Sequence, residues 1–265
     1  MRMYPALARI AALIGNQSRA RMLFALLDGH EIPASELAAR SQCSPQSASS
    51  HFSKLVRGGL LSVRTVGRLR LFRLASDEVA YAIETLASIA PVGTTVSLSQ
   101  HNMMARLREA RSCYDHLAGR LGVLLTDALL HRDVIAIDPG RTAFTLTSAG
   151  EQLLTELGIN VPALRAKRRA LTRVCMDWTE RRHHLAGSLG AAVHEHFLTA
   201  QWVQRHSKDR SLLVTPKGHR ELERLFGLRL AVEGAMHDSG GVSSRTIHIG
   251  DATVDERRFI ASSRK

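Results

Sequence analysis

Cysteine is scarce in this chain of 265 residues: there are three, an odd and low count that excludes a disulfide framework and makes a reducing cytoplasm the expected setting. Aromatic residues are only 5%, too few for a platform on which single-stranded bases would stack. No apolar run is long enough to cross a membrane. The apolar N-terminus is interrupted by Arg9 with no cleavage-like site after it, so no signal peptide is expected. The phosphate loop GxxxxGK[ST], a GxGxxG after a strand and the GxSxG nucleophile elbow are all missing, and no pair of carboxylates is singled out. Enzymatic function is therefore not expected. Acid is also short: 24 Asp plus Glu stand against 36 Lys plus Arg, a net charge of +12 that favours a polyanionic partner. Against these absences, 45% hydrophobic residues are enough for real cores, in one large domain or two to three small ones.

The most informative stretch is Ser44 to Leu55. Ser44 is a good N-cap and Pro45 suits the first helical position, where its missing N–H costs nothing. Ala48, Phe52 and Leu55 form one apolar stripe at helical spacing. The opposite face carries Gln46, Ser47, Ser49, Ser50, His51 and Lys54: many hydrogen-bonding groups, no carboxylate, one cation. Such a face is either simply solvated or built for a major groove, whose base edges offer donors and acceptors beside phosphates.

The flanking segments favour the groove. Residues 5–14 and 17–28 read as helices, with Leu7, Ile10 and Ile14 on one side of the first, Asn16 capping the second, and Met22, Leu23, Leu26 and Leu27 facing a core before Gly29. Pro33 introduces a helix over 34–41, and a short turn then leads to Ser44, the helix-turn-helix pattern. After Gly58-Gly59, segments 61–65 and 70–74 alternate like two strands about a turn at Gly67. Ser76 caps a last helix over 77–89. From Ser35 to Arg73 there are seven cations (Arg40, Lys54, Arg57, Arg64, Arg68, Arg70, Arg73) and one acid, Glu36, a net of six out of the chain's twelve. A hairpin rich in arginine beside a polar helix reads as a wing reaching phosphates or a minor groove.

Together, Leu-Ile-Gly-Asn-Gln-Ser-Arg-Ala-Arg-Met-Leu-Phe-Ala-Leu-Leu-Asp-Gly, Ser-Glu-Leu-Ala, Ser44 to Leu55, Gly-Gly-Leu-Leu and Gly-Arg-Leu-Arg-Leu-Phe-Arg-Leu make residues 5–90 resemble the ArsR-type winged helix-turn-helix regulators of bacteria. The resemblance implies a homodimer with one recognition helix per subunit in successive major grooves of operator DNA, and repression relieved by an inducer. It also exposes departures. Metal-sensing members carry paired cysteines on the third helix, where this chain has Glu36-Leu-Ala-Ala-Arg40, or histidine and acid ligands on the last helix, where Ser76 to Ala90 has no histidine. Neither usual metal site is present. Cys43, in the turn, reads as a core residue.

Residues 1–91 are thus expected to be the DNA-binding domain, 92–99 a linker, 100–230 an effector and dimerisation region, and 231–265 a disordered tail. The third part contains an internal repeat, about 101–159 and 163–228. Leu117-Ala-Gly-Arg-Leu-Gly122 resembles Leu185-Ala-Gly-Ser-Leu-Gly190, and Thr147-Ser-Ala-Gly150 resembles Thr215-Pro-Lys-Gly218, each 68 residues apart; Cys113 and Cys175 are 62 apart, so the second copy holds six extra residues. The Leu-Ala-Gly segments are expected in helices, and each copy as an α-rich, winged-helix-like unit that no longer reads DNA. The fold class is accordingly mainly α with small β hairpins. Between the copies, Arg165, Lys167, Arg168, Arg169 and Arg173 lie without an acid, a solvated face or an anion contact.

The candidate sensor residues are Cys113, Cys175, His116, Trp178 and His184. Each cysteine is followed two residues on by an acid, Asp115 or Asp177. The cysteines are either conserved small core residues or a thiol switch, with Arg111, Arg173, Arg181 and Arg182 available to lower a thiol pKa. Metal or haem ligation, drawing on His116, His183, His184, His194 and His196, is an alternative, although no CxxC, HxxxH or HExxH spacing fixes a metal site. A pocket for a small organic inducer between the copies, walled by Trp178 and Trp202, is another. The expected function is a cytoplasmic, nucleoid-associated repressor, homodimeric on double-stranded operator DNA, released by oxidation, an electrophile or a small ligand, with no membrane partner and no obligatory cofactor. Gln46, Ser47, Ser49, Ser50 and His51 are expected to read base edges, and Lys54, Arg64, Arg68 and Arg70 to touch phosphates or the minor groove. An architectural DNA-binding protein without an effector is the alternative of another class.

Overall fold

The computed structural model describes residues 7–91, 97–138, 140 and 143–230. The tail expected over 231–265 and most of the expected linker lie outside the described residues. The N-terminal part runs α1 (Leu7–Ile14), α2 (Gln17–Ala25), β1 (Ile32–Pro33), α3 (Ala34–Arg40), α4 (Pro45–Arg57), β2 (Leu61–Val66), β3 (Leu69–Leu74) and α5 (Asp77–Ile89). Its helix starts follow their caps: the side chains of Asn16, Ser44 and Ser76 accept from the backbone N–H of Arg19, Ser47 and Val79. α2 stops three residues earlier than its periodicity implies. Leu26 N–H bonds back to Leu23 O at 3.2 Å, a tightened turn that still buries Leu26 and Leu27 before Gly29 at φ +75°. β2 and β3 form the wing, and β1 adds to β3 through Ile32 opposite Phe72. One core joins Met22, Leu37, Phe52, Leu55 and Phe72, with the Phe52 and Phe72 rings stacked at 4.3 Å.

Of the expected linker, residues 98–99 already belong to a helix. Ser97 caps a helix, α6 (Leu98–Glu109), that carries only one buried residue, Leu107, and so leaves little apolar period to read. Then the order hairpin, helix, hairpin, helix occurs twice. The first pass is β4 (Arg111–Cys113), β5 (His116–Ala118), α7 (Gly119–His131), β6 (Ile135–Ile137), β7 (Phe144–Leu146) and α8 (Ser148–Glu156). A short α9 (Val161–Arg165) leads to the second: β8 (Arg173–Met176), β9 (His183–Ala186), α10 (Gly187–Thr199), β10 (Val203–Arg205), β11 (Leu212–Val214) and α11 (Pro216–Phe226). Leu-Ala of the repeated motif ends a strand and does not lie in a helix, contrary to expectation. Three-residue strands are too short for alternation to show. Thr147 and Thr215 are N-caps, accepting from Gly150 and Gly218 N–H.

The repeated glycines have a packing reason. Gly119 and Gly187 take φ +73° and +87°, where the chain turns from strand into helix. Gly122 and Gly190 let each helix press on a hairpin: a Cβ there would sit 2.5 Å from Leu117 O and 2.7 Å from Leu185 O. The packing is reciprocal, with α7 against β9 and α10 against β5. Leu117, Leu121, Leu185, Leu189, Phe197 and Trp202 share the resulting core.

A buried ion pair ties the two passes together. Arg111 and Asp177 are both fully buried and bond at 2.8 Å. Asp177 also accepts from the backbone N–H of Gly119 (2.6 Å), Thr179 (2.9 Å) and Glu180 (3.0 Å), while Arg111 donates to Leu107 O and Thr179 Oγ1 and lies over the Trp178 ring. Burial alone would raise the Asp177 carboxyl; the Arg111 charge reverses this and holds it far below the usual carboxylate range. Removing one partner strands the other charge in the core. Arg111→Ala is therefore expected to lower stability by about 3–5 kcal/mol, read as a fall in the denaturant midpoint, whereas Arg108→Ala, on an exposed pair with Glu180, should stay within about 1 kcal/mol.

Candidate functional site

Two places in the molecule carry concentrated polar chemistry. The first is the outer face of α4 with the wing. Ala48, Phe52 and Leu55 are buried, which turns Gln46, Ser47, Ser49, Ser50 and Lys54 outward. His51 is half-buried, with Arg19 Nη1 3.5 Å from its Nδ1; burial first and Arg19 second push its imidazole below the ordinary value. Arg68 and Arg70 are exposed on the hairpin, Arg70 over the Phe72 ring at 5.1 Å. Arg64 differs from the other wing arginines, since both its Nε and Nη2 bond to Glu31, at 3.2 and 2.5 Å. A partner must displace that carboxylate before Arg64 can meet a phosphate.

The second place is buried. In the β4–β5 hairpin Cys113 stands directly opposite His116, and in the β8–β9 hairpin Cys175 stands opposite His184. The six extra residues of the second pass lie in this hairpin's turn. The helices hold the two hairpins face to face, and the ligand-capable atoms of all four buried side chains lie within 4.8 Å of one another. Cys113 Sγ is 3.9 Å from Cys175 Sγ, and His116 Nε2 is 3.1 Å from His184 Nε2. Each histidine turns Nδ1 to a carboxylate, His116 to Asp115 at 3.3 Å and His184 to Asp177 at 3.7 Å. Each carboxylate is held in turn by an arginine, Asp115 by Arg169 and Asp177 by Arg111.

The electrostatics of this centre follow from burial and mutual contact. Hydrogen bonding with Cys175 and burial push the Cys113 thiol well up. Burial by itself depresses His116, but Cys113 and Asp115 outweigh it and lift the imidazole to about 9. Burial and the facing His116 drive His184 well down. The cations expected to acidify the thiols are committed elsewhere: Arg111 to Asp177, Arg182 to Asp127, Arg181 to Ala90 O, and Arg173 to the Tyr81 ring.

Of the five sensor residues, Cys113, Cys175, His116 and His184 converge, and Trp178 stands apart on Arg111. His194 bonds Ser112 Oγ and Asp115 O and is pushed down to about 4 by burial, while His183 is exposed. Trp202 packs on Phe197 and His196 inside the core, so the two tryptophans do not wall a common pocket. A cleft of about 180 Å³ lies instead between the N-terminal domain and the second pass, lined by Asp28, Arg40, Arg205 and Asp209 among others. A smaller cavity, about 30 Å³, opens on the centre itself between α5 and the two hairpins. Two of the five cations in the run are in ion pairs, Arg165 with Glu151 and Arg169 with Asp115 and Asp77. Sequence reasoning missed the two arginine–carboxylate–histidine chains. The 68-residue offset, which aligns His116 with His184, was the available signal.

The centre also touches the N-terminal domain. Arg169 bridges Asp115 to Asp77 in the first turn of α5. Arg210 donates to Glu84 of α5 at 2.5 Å and to Ser112 O, next to Cys113, at 3.1 Å, all three residues being buried. Tyr114 N–H bonds to Leu27 O.

No family model matches the chain. It is 39% identical over 229 residues to the uncharacterized HTH-type transcriptional regulator YdfF of Bacillus subtilis (strain 168), covering 86% of this chain and 100% of that one. The chain belongs to the HTH-type transcriptional regulators. Among solved structures, HlyU from Vibrio cholerae N16961 is 31% identical over 30% of this regulator and 86% of its own chain, with a TM-score of 0.29. The cadmium metal-sensor CMTR from Mycobacterium tuberculosis is 30% identical over 34% and 93%, also with a TM-score of 0.29. Among the described residues, no helix of the regulator is long and apolar enough to cross a membrane. In the winged helix-turn-helix domain, Arg68 is exposed and free of the carboxylate that holds Arg64. Arg68→Ala is expected to weaken binding to every duplex alike and to reduce the salt slope of log K by about 1, measured by fluorescence anisotropy across a salt series.

Proposed function

We propose that this regulator is a homodimeric repressor that reads duplex operator DNA with α4 and the wing, and that the four-residue centre in its C-terminal region sets how tightly it holds. The observation that carries the DNA reading is the face of α4: Gln46, Ser47, Ser49, Ser50 and Lys54 project outward with no carboxylate among them, beside a wing whose Arg68 and Arg70 are exposed. Cations position a protein on phosphates, and uncharged hydrogen-bonding side chains read bases. The dimer reading is supported by α1, an apolar helix none of whose residues is buried, and by Leu86 and Ile89 exposed on α5. That the two passes are internal copies is supported by their common element order and by the reciprocal approach of Gly122 toward His184 and of Gly190 toward His116.

Regulation by the centre is supported by its position. Asp115 shares Arg169 with Asp77, and α5 follows directly on the wing strand β3. A change that moves His116 or Cys113 therefore pulls on the helix next to the DNA-reading surface. An ArsR-type regulator with its signal site outside the third and last helices of the winged domain fits this arrangement.

Selection of bound duplexes from a random pool tests the DNA reading. The wild type should enrich a two-fold-related sequence, and Gln46→Ala should change the preferred base at one position per half-site, by about 1–3 kcal/mol of discrimination. Recovery of the same sequence with the same preferences by Gln46→Ala would remove α4 as the reader.

A further inference from the structure

We infer that Cys113, His116, Cys175 and His184 are the four ligands of one buried, tetrahedrally coordinated divalent cation of the Zn(II) class. This deepens the preceding proposal by giving the centre its occupant, and it rests on that proposal only for any consequence at DNA.

The sulfur–sulfur and nitrogen–nitrogen separations match a four-coordinate site, and the sulfur–nitrogen pairs, within 4.8 Å, need only a small closure. Metal–sulfur bonds of about 2.3 Å and metal–nitrogen bonds of about 2.0–2.1 Å, at tetrahedral angles, separate two sulfurs by about 3.8 Å and two nitrogens by about 3.3 Å. The sulfurs here are 3.9 Å apart and the imidazole nitrogens 3.1 Å. The histidines are also aimed for it. Each Nδ1 is turned to a carboxylate, so that with the Nδ1–H on that side both Nε2 atoms are available as ligands. The two Nε2 atoms face each other at 3.1 Å, a separation spanned by one shared proton or by a cation that replaces it. His184 Nδ1, in a fully buried side chain, makes no hydrogen bond at its present 3.7 Å from Asp177. A metal on Nε2 makes that Nδ1–H a stronger donor and draws it toward the carboxylate.

Charge selects the ion. As it enters, each thiol and the His116 imidazolium give a proton to solvent, and two thiolates, two neutral imidazoles and one dication then sum to zero, the one balance a site without solvent tolerates cheaply. Two sulfurs and two imidazoles suit Zn(II) and disfavour Mg(II) or Ca(II), which take oxygen. The cavity of about 30 Å³ beside Cys113, His116 and Cys175 admits a water-sized species and is far too small for haem or an organic effector. All four protein positions are filled, so the site is closed in the manner of a structural centre: the ion ties the first hairpin to the second.

The test uses the full-length, reduced, chelator-stripped protein and Co(II) as probe. One equivalent per chain should give the intense visible bands of tetrahedral Co(II) with thiolate charge transfer in the near ultraviolet, and Zn(II) should erase them stoichiometrically. X-ray absorption of the Zn(II) protein should give two sulfur and two nitrogen neighbours. The Cys113→Ser/Cys175→Ser double variant should lose the charge-transfer bands, and Asp115→Asn should weaken Zn(II) binding by about 10–100-fold. If the double variant does not fold by circular dichroism, the wild-type X-ray absorption decides. A coordination shell without sulfur, uptake unaffected by the double variant, or a Cys113–Cys175 disulfide in protein isolated under reducing conditions would overturn the assignment. None of these readouts involves DNA, so their failure leaves the DNA reading standing.

Discussion

Asp177 is a carboxylate with no solvent to turn to, and the C-terminal region is arranged around keeping it charged. Arg111 comes from the first pass of the repeated order and Asp177 from the second, so the pair exists only when both passes are folded and docked. Three backbone N–H groups complete the carboxylate's shell, one of them from Gly119 at the head of α7. A desolvated ion pair contributes little net stability over an apolar substitute, but half of one is costly. The pair therefore acts mainly on specificity: it forbids alternative dockings of the two hairpins. The consequence is local. Once Asp177 is fixed, His184 is oriented, and the centre has one geometry.

The second chain, Arg169–Asp115–His116, has the same order of groups but a different environment. Arg169 is partly exposed and shared with Asp77, whereas Arg111 is wholly internal. Both sides of the centre reach α5, the first hairpin through Arg169 and Asp77 and the second through Arg173 over the Tyr81 ring, while Arg111 anchors the Asp177 side inside the C-terminal region as well. The proposed coupling to the N-terminal domain would run through these α5 contacts.

The winged domain was legible because its signals are long and independent. Helix caps at Asn16, Ser44 and Ser76, a thirteen-residue amphipathic α4 and a six-residue strand on each side of Gly67 all point one way. In the C-terminal region the 68-residue offset between similar segments was legible but the elements were not. Its strands are three or four residues long, below the length at which period two can be told from period three, and Leu117-Ala118 was read as helix for that reason. Arg111 was read as a cation available to lower a thiol pKa because its partner is 66 residues away, and Trp202 as a pocket wall because nothing local announces that it faces Phe197. The four members of the centre were among the residues singled out. Their convergence was hidden because each Cys–His pair is formed across a hairpin turn, of two residues in one case and eight in the other, and spacing motifs describe ligands carried on one element.

The central proposal is that the centre and the proposed DNA-reading face of α4 are energetically linked through α5. It is tested most directly by measuring the regulator's Kd for its selected duplex with the centre stripped and with it loaded with Zn(II), at one fixed salt concentration. The account predicts a change of about 5–150-fold between the two forms, the range of a coupling worth about 1–3 kcal/mol. Superimposable binding curves for protein shown to be fully stripped and fully loaded would contradict it.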